Sequence, residues 1–549
     1  MTEESSESPT VFVRRASGLV RAWSPLDALI YNMVSCGTWG GVMVWILYYS
    51  PMLFPGASLP LSLAIAGLGF IPMFFVYSIL ATAMPRSGGD YVFISRGLHP
   101  ALSFPVMLIY IFFTVSWNYW NGWGIANVGV APTLTVAGLA SGNTAFFDMA
   151  AWVTSDIGVL IIATLMVLLT AIVVMLGMRF YAKLQKFLFL FVIISLLLTL
   201  ITLGITPTST FETQWNLFAD QVTGTSGTYA FDNIISTAET GGFNPFAAFS
   251  MIGTLSMMGM AAGNLSYAYW GITNIGEIKS AGNLKLTTVQ VVGASILITT
   301  VWVLLAAVVV GSFSQGFLGS LSWHFWNWTP TAQAFGAEPF LSTLVCILLP
   351  NPLFQGLLLF GALCSIYLYM PGILIGNTRY LFAMSFDRVL PGQIAYVDKR
   401  FNSPMVAIVL LTIVTEIWII LMQFVAGTGD WLTSVVFVTV AAQLMTCISG
   451  IVFPFRESTK AIYEASPAAK WKLGPIPVVS LFGFLGAIWL SYFIFLYLTI
   501  PELGMASPLS SIFLLALFIV GFIMYFVVRA YRKSQGIDID LAYKEIPPA

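Results

Sequence analysis

Twelve apolar runs, each long enough to cross a hydrocarbon layer, divide this chain, and the connections between them alternate between carrying Lys or Arg and carrying none. The runs lie near 26–50, 58–83, 101–126, 152–176, 181–204, 245–275, 286–312, 352–378, 404–426, 431–455, 475–499 and 508–530. A helix needs about 20 apolar residues to cross. All 22 Lys and Arg residues can be placed on one side: Arg14, Arg15 and Arg21; Arg86 and Arg96; Arg179, Lys183 and Lys186; Lys279 and Lys285. The others are Arg379, Arg388, Lys399 and Arg400; Arg456, Lys460, Lys470 and Lys472; and Arg529, Arg532, Lys533 and Lys544. Short loops bearing Lys and Arg stay cytoplasmic. The pattern predicts a polytopic, all-α membrane protein with both termini cytoplasmic, and an even number of crossings agrees with it.

Composition leads to the same class. Hydrophobic residues make up 58% and charged residues 8%, where a soluble domain carries about a quarter charged. The mean hydropathy of +0.89 is too high for a water-facing surface. The net charge of -1 says nothing of partners, because the charges are sorted by side; the lipid bilayer is the first partner implied, and nucleic acid is not one. Residues 1–22 contain no apolar h-region or cleavage site, so the first crossing helix is expected to direct insertion itself. The expected organisation is a tail over 1–23, a membrane domain over 24–530 and a second tail over 531–549. Cys36, Cys346, Cys364 and Cys447 lack C-x-x-C spacing and read as buried thiols. No metal site or cofactor is expected, since His99 and His324 fall on opposite sides. The segments 205–244 and 313–351 are long outer connections. The second contains Trp323-His324-Phe325-Trp326-Asn327-Trp328, readable as an interfacial cap or as a gate.

Two crossing segments differ from the rest. The first is interrupted by Ser35-Cys36-Gly37-Thr38-Trp39-Gly40-Gly41, and the sixth by Ala262-Gly263-Asn264-Leu265-Ser266-Tyr267-Ala268-Tyr269-Trp270-Gly271. Each can break its helix and free backbone N–H and C=O groups at membrane depth, which is tolerated only where protein or a water-filled cavity satisfies them. Five runs per unit makes a second copy inverted, and interruptions at matching positions of inverted repeats mark a midplane binding site. Taken singly, each glycine is equally well explained by close helix packing.

Met84-Pro85-Arg86-Ser87-Gly88-Gly89-Asp90-Tyr91-Val92-Phe93 resembles the P-R-x-G-G-E-Y-x-Y signature of the amino acid–polyamine–organocation (APC) transporters. Arg379-Tyr380-Leu381-Phe382-Ala383-Met384, running through Asp387-Arg388-Val389-Leu390-Pro391 to Asn402-Ser403-Pro404, is similar to the family's stretch after helix eight. Gly276-Glu277-Ile278-Lys279 resembles the end of its helix six. The resemblance spans about 24–530. It implies a LeuT-like fold of twelve transmembrane helices, with helices 1–5 and 6–10 as inverted repeats and two peripheral helices. It also implies secondary transport of an amino acid or related amine across the cell (plasma) membrane, coupled to H+ or Na+. Substrate contacts would come from Ser35, Cys36, Gly37, Thr38, Trp39, Gly40 and Gly41 and from Tyr267, Ala268, Tyr269, Trp270 and Gly271. Trp39, Trp117, Tyr119, Tyr269 and Trp270 would close over the substrate. Trp39 and Tyr267-Ala268-Tyr269-Trp270 depart from the family's smaller elements at these places, which alters the pocket's shape.

Arg86 and Arg96 are candidates to meet Asp387 or Glu277 as an inner-gate ion pair; the plainer alternative is that they only obey the charge sorting. Asp387-Arg388 also reads as a helix terminus with a local charge pair. Glu416 is the one carboxylate deep inside a crossing segment, where an ionised group is costly. It is a coupling candidate, or else a carboxyl bonded to a neighbouring helix. Val192 stands where some relatives place a coupling Lys, and Ser365 is a possible sodium donor. Asp27 is read as an N-cap at the start of the first segment. A membrane enzyme is excluded by the lack of converging His, Cys, Asp and Glu. A substrate-sensing receptor or channel-like protein on the same fold remains the rival.

Overall fold

The computed structural model describes residues 19–37, 44–425, 428, 434–503 and 508–543. Thr38, Trp39, Gly40 and Gly41 therefore lie outside the described residues. Among the described residues ten helices are long and apolar enough to cross a membrane: Leu59–Ala83, Pro100–Ser141, Asp156–Met175, Met178–Ile205, Leu284–Phe313, Pro352–Phe386, Met405–Phe424, Val435–Val452, Val478–Thr499 and Pro508–Ser534. They coincide with all the apolar runs except the first and the sixth. Those two are divided: Pro25–Val34 is followed by Val44–Tyr49 and Ser50–Leu53, and Met251–Leu265 by a 3-10 stretch, Ser266–Glu277. Among the described residues the only sheet is a ribbon of Lys472–Leu473 against Ile476–Pro477.

Local chemistry sets the helix ends. Ser24 and Asp27 form a reciprocal capping box at Pro25–Val34, so Ser24 is the N-cap and Asp27 the third helical residue, a correction to the expected Asp27 cap. Asp27 also binds Lys186 at 3.1 Å. Ser155, Ser250 and Asn351 cap Asp156–Met175, Met251–Leu265 and Pro352–Phe386 through side-chain oxygens. Gly88, at φ 121°, and Gly89, at φ 37°, turn the chain between Leu59–Ala83 and Gly89–Gly97, a conformation other residues rarely adopt.

Two boundaries run past the apolar runs. The third helical segment continues to Ser141, where the extension packs on Ala145–Val153. The eighth continues to Phe386 through buried Arg379. The two long connections, 205–244 and 313–351, are helical too. Thr208–Thr223 and Phe231–Thr240 fill the first, and Gln315–Trp326, Pro330–Phe335 and Leu341–Cys346 the second. They meet through Phe211, Trp215, Phe231, Phe317 and Phe335, with the Phe231 and Phe317 rings stacked at 4.5 Å.

Helix pairing follows a regular plan. Pro25–Val34 lies on Ser266–Glu277, Leu59–Ala83 on Ala294–Phe313, and Asp156–Met175 on Met405–Phe424. Met178–Ile205 packs along Pro352–Phe386, and Ser434–Val452 along Pro100–Thr114. Val478–Thr499 leans on Leu59–Ala83 and Ser434–Val452, while Pro508–Ser534 leans on Pro100–Thr114 and is the least buried of the ten. All four cysteines are buried free thiols.

Candidate functional site

The first segment stops being helical where its sequence loses branched apolar residues. Cys36 N–H donates to Met33 O at 3.2 Å and Gly37 N–H to Val34 O at 2.8 Å, a tightening final turn, and Gly37 then takes φ 71°. The sixth segment is interrupted differently. From Ser266 it tightens into a 3-10 helix, with Asn274 at φ -108° and ψ 16° leaving helical geometry. Protein groups receive the backbone this releases. Asn32 Oδ1 accepts the Gly271 N–H at 2.7 Å, while Asn32 Nδ2 donates to Gln290 O at 2.8 Å. Gly88 N–H donates to Thr273 O at 2.9 Å, and Gln443 Nε2 to Ser266 O at 3.3 Å. The Cys36 thiol lies 3.9 Å from Leu265 O. The two interrupted segments are thus joined face to face, as Asn32 on one holds the backbone of the other.

Aromatic side chains fill the space beside this junction. Tyr267 bonds Thr439 Oγ1 at 2.7 Å and receives the Trp117 indole N–H at 3.4 Å. Trp270 donates to Tyr110 Oη at 2.9 Å. The Tyr267 and Trp270 rings are 4.9 Å apart, Trp270 and Tyr369 are stacked at 6.3 Å, and Trp117 meets Tyr369 edge-on at 6.5 Å. Around this cluster Ser266 Oγ, Asn264 Oδ1, Gln443 Oε1, Asn118 Oδ1 and Tyr369 Oη are buried without a hydrogen-bond partner among the described residues. Such atoms cost free energy unless something receives them. Of the expected substrate residues, Tyr267 and Trp270 join the cluster, Ala268 is fully buried, and Ser35 is turned back to Tyr31 O at 2.8 Å. Trp117 belongs to the cluster. Tyr119 does not; its hydroxyl reaches Gln423 at 3.3 Å.

Tyr269 points the other way, towards the Lys- and Arg-bearing end. Its ring stacks on Tyr77 at 3.8 Å and its hydroxyl donates to Asp90 Oδ2 at 3.0 Å. Asp90 is fully buried and collects three more hydroxyls: Tyr380 at 2.9 Å, Thr446 at 2.7 Å, and Tyr77. The donors come from Leu59–Ala83, Ser266–Glu277, Pro352–Phe386 and Ser434–Val452. An ionised carboxylate has about four lone-pair sites, so this one is saturated. Asp90 belongs to the Met84–Phe93 motif, but its part as the meeting point of four elements carries no local signal.

Two ion pairs lie beside it. Arg379 grips Glu277 through two bonds of 2.8 and 2.9 Å, both side chains being 1% exposed. Arg96 grips Asp387 at 2.5 and 2.8 Å. Arg96 also donates to Ala542 O at 3.3 Å and lies over the Tyr543 ring. Asp387 is the C-cap of Pro352–Phe386, so it ends a helix as expected, but its partner is Arg96 instead of Arg388. Glu277 and Asp387, the two carboxylates expected to meet Arg86 or Arg96, are engaged by Arg379 and Arg96, while Arg86 Nη1 is 3.4 Å from Pro85 O. Below the pairs, Trp23 N–H donates to Glu277 O at 3.2 Å and Lys279 N–H to Trp23 O at 2.9 Å, closing the entry of the first segment on the exit of the sixth. Glu416 sits apart from this machinery: its Oε2 accepts from Thr164 at 3.0 Å, between Met405–Phe424 and Asp156–Met175.

Among the described residues no nucleophile is paired with a base at the junction. The arrangement offers two interrupted helices bonded to each other, an aromatic enclosure and a network that locks one end. Residues 26–525 match the amino acid permease family. The match spans nearly all of the helical bundle, and the chain is therefore a multi-pass membrane protein of the amino acid permease family in the APC superfamily, a family of transporters and not of enzymes.

Proposed function

We propose that the protein is a secondary transporter that moves an amino acid or related amine across the plasma membrane by alternating access. The observation that carries this reading is the Asn32–Gly271 bond at 2.7 Å, which couples the interrupted backbones of the first and sixth segments beside the aromatic cluster. Substrate would be received there by groups within Ser35–Gly41 and Tyr267–Gly271, with Trp117, Trp270 and Tyr369 enclosing it. The unpartnered Ser266, Asn264 and Gln443 atoms are suited to substrate, ion or water.

Helix pairing supports twelve crossings in two inverted repeats of five plus two peripheral helices. If segment n corresponds to n+5, the contacts 1–6, 2–7 and 4–9 map onto themselves, and 5–8 maps onto 3–10; all of these are made. The interrupted runs, first and sixth, are partners under the same operation. Charge sorting supports cytoplasmic termini, and under that orientation the Asp90 network would lie at the inner end. Alternating access would then require Tyr269 and Glu277 of the sixth segment to leave Asp90 and Arg379. Tyr269 thus reads as part of the inner latch, and Tyr267 and Trp270 as pocket residues.

Purified protein in liposomes, given radiolabelled amino acids or polyamines under a proton or a sodium gradient, should accumulate one class saturably under one gradient. Binding without accumulation would make it a sensor, and a non-saturating current a channel.

A further inference from the structure

The end of the bundle opposite the Asp90 network contains a carboxyl that is only half satisfied. Glu338 lies in the short stretch between Pro330–Phe335 and Leu341–Cys346. The residue as a whole is partly exposed, but its carboxyl is turned inward. Oε2 accepts the Tyr49 hydroxyl at 2.8 Å, while Oε1 is buried without a partner among the described residues. Tyr49 joins Val44–Tyr49 to Ser50–Leu53 in the second piece of the interrupted first segment, and Gln315–Trp326 packs on both. Around the bond, the Tyr49 ring meets Trp326 at 5.6 Å, and Tyr48 and Trp123 meet Phe340 at 5.2 and 5.6 Å. Glu338 lines a small cavity together with Ala131, Pro132, Thr135, Phe147, Phe335 and Thr343.

No cation faces the carboxyl among these lining and contacting residues. The titratable groups turned to it are the Tyr48 and Tyr49 hydroxyls. On the surrounding elements, Asp148, Glu212 and Asp220 are open to solvent at least in part. His324 is turned to Thr237 and Thr329, Cys346 to Gln355, and Tyr119 to Gln423. A buried carboxyl with one hydrogen bond, no cation and a second oxygen faced only by the Tyr48 hydroxyl is better accommodated with a proton on that oxygen.

We propose that Glu338 is a proton-binding site of the outer latch, occupied when the outer piece of the first segment is packed against the 313–351 connection and released when the two separate. This deepens the transporter reading and rests on it, by naming a proton site linked to one half of the cycle. Burial pushes the Glu338 carboxyl from its ordinary 4.5 up to about 8, against the lowering effect of the Tyr49 and Tyr48 hydroxyls. The packed form therefore holds the proton more tightly than the separated form, in which the carboxyl is hydrated. Lowering the pH through the window from about 8 to 4.5 favours the packed form, by up to ~10-fold per pH unit. Above that window the packed form must bury a charge, and below it both forms are protonated.

Infrared difference spectroscopy of the purified protein tests the site without any substrate. The wild type should lose a protonated-carboxyl C=O band as the pH rises through about 8. Glu338→Gln should lack that band. Tyr49→Phe, which removes a bond that stabilises the carboxylate, should keep it and move its loss to higher pH. Spin labels at Pro55→Cys and Gln333→Cys should approach each other as the pH falls in the wild type and show no pH response in Glu338→Gln. A band that persists in Glu338→Gln, or a label distance that responds to pH equally in both proteins, overturns the proposal. If the liposomes accumulate amino acid while these readouts fail, the proton site is wrong and the transporter reading stands.

Discussion

Asp90 and Glu338 are carboxyls held inward at opposite ends of one bundle, and they are held in opposite ways. Asp90 takes four hydroxyl donors from four helical elements, so protonating it forces a hydroxyl to reverse. Glu338 takes one from Tyr49 and keeps an oxygen with no partner. The Asp90 end also has two bidentate arginine pairs, whereas the Glu338 end has aromatic contacts and, among the described residues, no cation at the carboxyl. A latch of saturated bonds opens only when a segment leaves it as a unit; a latch with one unsatisfied oxygen can be set by a single proton. Two ends built so differently are suited to opening one at a time.

The largest effect is expected from Asp90→Asn. The amide offers one acceptor oxygen where the carboxylate offers two, and sets N–H groups against hydroxyl protons. Each buried group left unsatisfied costs about 1–3 kcal/mol. Uptake should fall to background, with a lower thermal midpoint of the purified protein. Normal uptake would show that the four-hydroxyl network plays no part in the cycle.

That network also marks what the sequence could and could not reveal. The apolar runs are local, and so are the glycine and polar interruptions that divide the first and sixth of them. The destinations of individual side chains are not local. Tyr269 and Trp270 are adjacent in sequence, but a 3-10 turn rotates successive side chains by about 120°, sending one to Asp90 and the other to Tyr110. The donors to Asp90 come from positions as distant as Tyr77 and Thr446. Arg379 reads as a charge that should end the eighth apolar run; the helix continues to Phe386 because Glu277 neutralises it in the interior. Arg96 with Asp387 was legible as one of the possible pairings, whereas Arg379 with Glu277 was not.

The ion pair sharpens the inner half of the comparison. Glu277→Gln or Arg379→Gln alone leaves a buried charge unpaired and should cost about 3–5 kcal/mol, read as a loss of folded protein on heating. The double variant should recover part of that loss. Additive single effects would mean the pair does not act as a unit.

At the junction between the two ends, Gly271→Ala places a Cβ 2.7 Å from Asn32 Oδ1, inside contact distance, and pushes Asn32 off the Gly271 N–H. Uptake should drop by about 10-fold or more, where each tenfold corresponds to ~1.4 kcal/mol, with insertion retained. Unchanged uptake would move the site away from the two interruptions.

The smallest effect is expected at Glu416. Its carboxyl touches Thr164 between two helices that flank the bundle, and Gln preserves the acceptor for that hydroxyl. Proton-driven uptake by Glu416→Gln should stay within about 2-fold of wild type, consistent with a change under 0.5 kcal/mol. Loss of accumulation with exchange preserved would instead make Glu416 the coupling acid.

Paired distances at both ends of the same molecule are the most direct measurement. One spin-label pair at Lys285→Cys and Lys399→Cys reports the Asp90 end, and a second at Pro55→Cys and Gln333→Cys reports the Glu338 end. Alternating access around the two interrupted segments predicts that Asp90→Asn lengthens the first distance and shortens the second. Lengthening of both together, or no change in either, would contradict it.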